Sequence, residues 1–169
     1  MSAQAALISY RMDTVFFGSI GSKSYFGDTL TMTATGDMAG VHEIVPGIFG
    51  HNDLTVSFTV GSDSGTVDGH NRFFVNKNVA VAGFSQNGDT GSDFLDGFSA
   101  GLASFNYTAD YDAAASTFWL GDIDTSLGLL HHVDSSVTRV MIDVDAVPEP
   151  ATLAVLSLGL LAARKRRRA

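Results

Sequence analysis

Four oxygen-bearing side chains, Asn87, Asp89, Asp93 and Asp96, fall within one ten-residue glycine-containing stretch, "NGDTGSDFLD". Calcium takes six to eight oxygen ligands, and glycines let a short loop curl around the ion. The spacing departs from the EF-hand loop, in which alternate residues ligate and a glutamate closes the shell. Asp122 with Asp124, and Asp63 with Asp68, repeat the idea in thinner form. Asp, Asn and Gly are also the ordinary turn formers, so turn chemistry accounts for these residues without any ion. Calcium is the one cofactor the sequence suggests, and otherwise none is expected.

Other routes to chemistry are narrower. Histidine stands at His42, His51, His70, His131 and His132. The adjacent pair would point to opposite faces of a strand, a poor chelate for one metal. No H-x-x-x-H or H-E-x-x-H spacing appears, and serines are too common to nominate a nucleophile. Cysteine is absent, which removes disulfides, thiolate catalysis and Cys-based zinc sites together. Glu43 and Glu149 are the only glutamates, so a carboxylate pair for glycoside cleavage cannot be assigned by position. Trp119, Tyr10, Tyr25, Tyr107 and Tyr111 could stack on sugar rings, although burial is the commoner use of aromatics on strands. No catalytic residue is nominated. The expectation is a non-enzymatic body, the alternative being a carbohydrate-binding, lectin-like module or a hydrolase with its site among the acidic loops.

Alternation supplies the frame that must hold these residues. Ile8, Tyr10 and Met12 oppose Ser9, Arg11 and Asp13, and Leu30, Met32 and Ala34 interleave with Thr29, Thr31, Thr33 and Thr35. Leu54, Val56, Phe58 and Val60 share a parity, as do Phe73, Val75, Val79 and Val81, then Ala103, Phe105 and Tyr107. Val140, Ile142, Val144 and Ala146 close the series. Period-two patterning with β-branched polar residues between the apolar ones predicts half-buried antiparallel strands. Between them lie the turn signals "TGDMAG", "GSDSGTVDGHN", "QNGDTGSD" and "LGDIDTSLG". The fold class expected is mostly β, an antiparallel β-sandwich or jelly-roll-like domain of seven or eight strands with a C-terminal hydrophobic helix. One more helix is predicted over about Asp93 to Leu102, where Phe94, Leu95, Phe98 and Leu102 share a side and Gly97 and Gly101 weaken it.

Charge divides the chain. Residues 1–147 hold five basic and seventeen acidic residues, a net −12, whereas five of the ten cations crowd into the last six positions. Such a body repels nucleic-acid phosphates, so no nucleic-acid partner is expected.

The cations end a three-part tail. Pro148, Glu149 and Pro150 form a rigid, extended tripeptide that disfavours helix upstream. An uncharged run follows from Ala151 to Ala163, with Leu153, Val155, Leu156, Leu158, Leu160 and Leu161 as its large aliphatics. As a helix at about 1.5 Å per residue it spans roughly 20 Å. That is short against a bilayer core of about 30 Å, as befits a transient transmembrane anchor. Arg164, Lys165, Arg166, Arg167 and Arg168 then act as a basic stop that stays cytoplasmic and leaves the acidic body across the membrane.

This ending, "VPEPATL", then a Leu/Gly/Ala run, then "RKRRR", resembles the PEP-CTERM sorting signal of exported proteins in Gram-negative bacteria that make extracellular polysaccharide. The resemblance covers about 22 of the 169 residues, and the body ahead of it resembles no family. It implies an exosortase as processing partner, a transient inner-membrane intermediate, and delivery to the cell surface or an extracellular matrix. It also implies association with exopolysaccharide or biofilm. At the other end, Ala3-Gln4-Ala5 has the small-x-small form of a signal-peptidase site. Residues 1–5 are therefore read as the remnant of a truncated signal peptide, 6–147 as a β-rich extracellular domain and 148–169 as the sorting signal.

Overall fold

The computed structural model describes residues 6–86, 92–119, 121–133 and 137–145. Twelve strands form within them: β1 (Leu7–Ile20), β2 (Lys23–Asp37), β3 (Val41–Val45), β4 (Ile48–Leu54), β5 (Ser57–Val60), β6 (Asp63–Thr66), β7 (Asn71–Asn76), β8 (Val81–Gln86), β9 (Asp93–Phe98), β10 (Tyr111–Trp119), β11 (Leu130–His132) and β12 (Val137–Val144). They join antiparallel in the order β3-β4-β7-β8-β9-β10-β12-β1-β2-β5-β6, with β11 on β1. The mostly β, antiparallel expectation holds. The hydrophobic helix expected at the C-terminus falls outside the described residues.

The sheet folds back on itself. Tyr10 of β1 stacks on Phe73 of β7 with ring centroids 4.2 Å apart, although the two strands stand five steps apart in the sheet order. Alternation explains which side chains meet there. Ile8, Tyr10, Met12 and Phe16 point inward from β1, opposite Leu30, Met32 and Ala34 of β2, while Ser9 and Arg11 face outward. Phe58, Val60, Val75, Phe84, Val140 and Ile142 complete the same core. Each fully buried side chain of this size contributes about 1.5–3 kcal/mol, which lets a chain without disulfides hold together.

Three local expectations need correction. Residues 93–102 are not a helix. Asp93–Phe98 is β9, hydrogen-bonded to β8 on one edge and to β10 on the other, and a short 3₁₀ turn follows at Ala100–Ser104. Ladder bonds on both edges outweigh a spacing that merely resembled a helical face, and the two glycines remove helix propensity. The run Phe73 to Val81 is broken by a turn at residues 77–80, leaving Val79 exposed. Ala103, Phe105 and Tyr107 lie in the 3₁₀ turn and the loop after it, with Tyr107 at φ +61°. The count is twelve strands rather than seven or eight in part because β6 lies inside the stretch "GSDSGTVDGHN" that reads as a turn, where it pairs with β5.

Candidate functional site

The expected calcium loop contributes two described residues. Asn87 and Asp89 lie outside the described residues, while Asp93 and Asp96 stand on β9. Arg72 of β7 comes to them: its Nε donates to Ser85 Oγ at 2.8 Å, and its Nη2 lies 3.4 Å from Asp93 Oδ1. Asp96 is 8% exposed and, among the described residues, its Oδ1 has no hydrogen-bond partner. Burial raises its pKa to about 8, the neighbouring Asp93 pushes the same way, and Arg72 opposes both. Burial also raises Asp93, against the pull of Arg72. Two carboxyls of different proton affinity beside a fixed cation form an arrangement that acid–base chemistry uses. Here Arg72 and Asp96 are both buried, and the guanidinium supplies the positive charge that an ion would bring. Among the described residues no group of three or more His, Asp or Glu could hold a metal ion.

A second polar cluster lies where β4 passes into β5 and β6 into β7. A cleft of about 610 Å³ is bordered there by Asp53, Thr55, Thr66, Asp68, His70 and Asn71. His70 Nδ1 and Asp53 Oδ1 are 3.2 Å apart. Asn71 is buried, and its Nδ2 donates to the carbonyls of Val67 and Gly69. The expected grouping of Asp68 with Asp63 does not form, since Asp63 binds elsewhere, accepting from Lys23 Nζ and from Tyr25 Oη. Asp53 reaches this cleft only through the pairing of β4 with β7, which sequence spacing does not show, whereas Asn71 stands three residues from Asp68 in the same turn-rich stretch.

The remaining candidates are tied into the fold. His51 is buried against Tyr10, His131 Nδ1 meets Asp122 Oδ1, and His132 is buried beside the ring of Phe16. His131 and His132 take opposite faces of β11, as their adjacency requires. Gly97-Phe98-Ser99-Ala100-Gly101 has the spacing of a nucleophile elbow, which sequence reasoning misses among the many serines. Ser99 Oγ accepts a 2.7 Å hydrogen bond from the Tyr111 hydroxyl, and a phenol is no general base for it. Tyr10 and Tyr25 are buried, which makes them core rather than an exposed stacking platform.

At the far end of the body, β12 runs between β1 and β10 and stops at Val144. Val144 N–H donates to Asp110 Oδ1 at 2.8 Å, and Asp145 N–H to the Leu7 carbonyl at 3.0 Å. Pro148, Glu149 and Pro150, the Ala151–Ala163 run and the Arg164–Arg168 cluster follow, all outside the described residues. A family model described as the PEP-CTERM protein-sorting motif matches residues 146–168. The chain carries a PEP-CTERM sorting motif. No curated protein and no solved structure matches the chain. The PEP-CTERM match begins one residue beyond Asp145, so the body and the sorting signal adjoin almost without a linker. A PEP-CTERM signal marks an exported protein sorted by an exosortase, which makes that membrane enzyme the processing partner. Among the described residues no helix is long and apolar enough to cross a membrane.

Proposed function

We propose that this chain is a non-enzymatic surface or extracellular-matrix protein, whose body is released from an inner-membrane intermediate by an exosortase and joins an exopolysaccharide layer or biofilm. The observation that carries this is the PEP-CTERM match at residues 146–168, set directly behind a folded β domain. Each part of the tail has a role: Pro148, Glu149 and Pro150 for recognition, Ala151–Ala163 as the transient span, Arg164–Arg168 as the cytoplasmic stop. A non-enzymatic body is supported by histidines engaged with Tyr10, Asp53 and Asp122 rather than with a nucleophile. The test is the intact mass of the protein from cell-surface and cytoplasmic fractions of an exosortase-bearing host. A surface form lacking the residues after the Pro-Glu-Pro motif is expected. A cytoplasmic form keeping Arg164–Ala169 would overturn the proposal.

The cleft at Asp53–Asn71 favours a second reading, a lectin-like module. Its border of carboxylates and hydroxyls offers acceptors for sugar hydroxyls or ligands for calcium. A ligand that binds the folded state raises the unfolding temperature. A glycan- or calcium-dependent rise that is lost on Asp53→Ala would favour this reading over a purely structural body.

A further inference from the structure

The sorting motif follows the last residue fastened into the body after only two residues. β12 is an interior strand, paired with β1 from Ile8↔Val144 to Thr14↔Thr138 and with β10 from Tyr111↔Ile142 to Ser116↔Val137. The β10 ladder ends at Ile142, two residues before β12 does. Asp110, just ahead of β10, takes over with its side chain, accepting the Val144 N–H. On the other edge Asp145 N–H reaches the Leu7 carbonyl. The body is therefore fastened up to residue 145, and only residues 146 and 147 separate it from Pro148. Three fully extended residues reach at most about 11 Å, so chain length alone ties the motif to the end of β12.

A protease holds its substrate extended, through several residues on each side of the reacting bond, often as an added strand. A membrane-embedded enzyme that grips the Pro-Glu-Pro motif this way needs residues that β12 still holds. We infer that Asp110 is a positioning residue for sorting: its hold on Val144 sets how often the end of β12 peels away, and that opening limits how fast the exosortase acts. This rests on the sorting function proposed above. Where opening and closing are fast relative to cleavage, the rate of proteolysis follows the population of the open form. Loss of this one exposed backbone-to-side-chain hydrogen bond raises that population by about twofold to tenfold.

The test is a pulse-chase of tail loss, with the full chain placed behind a secretory signal peptide in an exosortase-bearing host. Five forms are compared: wild type, Asp110→Ala, Asp110→Asn, a form with Gly-Ser-Gly-Ser inserted after Asp145, and that insertion combined with Asp110→Ala. Asp110→Ala should be processed about twofold to tenfold faster than wild type, with the melting temperature of the body little changed. Asp110→Asn keeps an acceptor oxygen and should keep the wild-type rate. The insertion should be faster than wild type, and adding Asp110→Ala to it should give no further gain. Wild type processed at the same rate as, or faster than, the insertion would overturn the role of Asp110 and leave sorting intact. Failure of every form to lose its tail, wild type included, would overturn both.

Discussion

Two buried polar residues show how single side chains are fixed by their surroundings. Tyr10 and His51 share a 2.9 Å hydrogen bond across the core, in a space left by Gly36, where a Cβ would stand 2.3 Å from the imidazole. Burial raises the pKa of Tyr10 and lowers that of His51, so both are neutral and the hydroxyl can donate to Nδ1. Tyr10→Phe keeps the ring stacked on Phe73 and strands the His51 acceptor. The expected loss is about 1–3 kcal/mol in denaturant unfolding, and an unchanged midpoint would mean that the bond adds nothing. Asp96 sets the sign of a pH effect. Burial lifts its folded-state pKa from the usual 3.8 to about 8, so the folded protein keeps a proton that the unfolded chain releases. Its contribution to stability is then complete below about pH 4 and is lost as the pH climbs to about 8. The melting temperature of wild type should therefore fall relative to that of Asp96→Asn between pH 5 and pH 8.5. A constant difference between the two would show that Asp96 titrates normally.

At the scale of elements, one tight constraint lies between β8 and β9. A Cβ on Gly83 would stand 2.3 Å from Asp96 Oδ1 and 2.4 Å from the Leu95 carbonyl, so Gly83→Ala has to push two paired strands apart. The expected cost is about 1–3 kcal/mol. Gly121→Ala, which among the described residues meets nothing within 4 Å, should stay within about 0.5 kcal/mol of wild type and serves as the control. Equal effects of the two substitutions would mean that the strands yield freely. These same strands mark where sequence reasoning succeeds and stops. The inward sets of β1, β2 and β12 are plain in the alternation because one face of each strand is wet and polar. In β7, β8 and β9 both faces are buried, so Phe73 and Phe74, or Phe94 and Leu95, are neighbours that both avoid water. Alternation fails there, and the spacing of Phe94, Phe98 and Leu102 passes for a helix. Arg72, Ser85, Asp93 and Asp96 converge only through the register of three strands, and the bulge at Phe84/Ser85 shifts that register by a residue. A linear pattern contains no term for such a meeting. The tail is the opposite case, since its three parts are contiguous and each is legible from its own composition.

Over the whole molecule, the two ends of the charge distribution face different tasks. The body carries −12 and the last six residues five cations, so the chain is polarised along its length about the uncharged run from Ala151 to Ala163. That run is short for a stable span, and its large aliphatics contribute only about 0.3–0.6 kcal/mol each towards insertion. Under the sorting function proposed above, arrest of the tail in the membrane would therefore lean on the cations, which resist being drawn across. An acidic body adds little to orientation, because acidic residues weigh far less than Lys and Arg in that choice. Replacing Arg164, Lys165, Arg166, Arg167 and Arg168 together with Ser leaves the Pro-Glu-Pro motif and every described contact of the body untouched. The expected outcome is full-length, unprocessed protein, lost from the surface fraction and found wholly translocated or in the cytoplasm. A fractionation with intact-mass readout decides it. Normal trimming of the neutralised tail would mean that the exosortase captures the motif before the membrane arrests the chain, and the cations would lose their role as a stop.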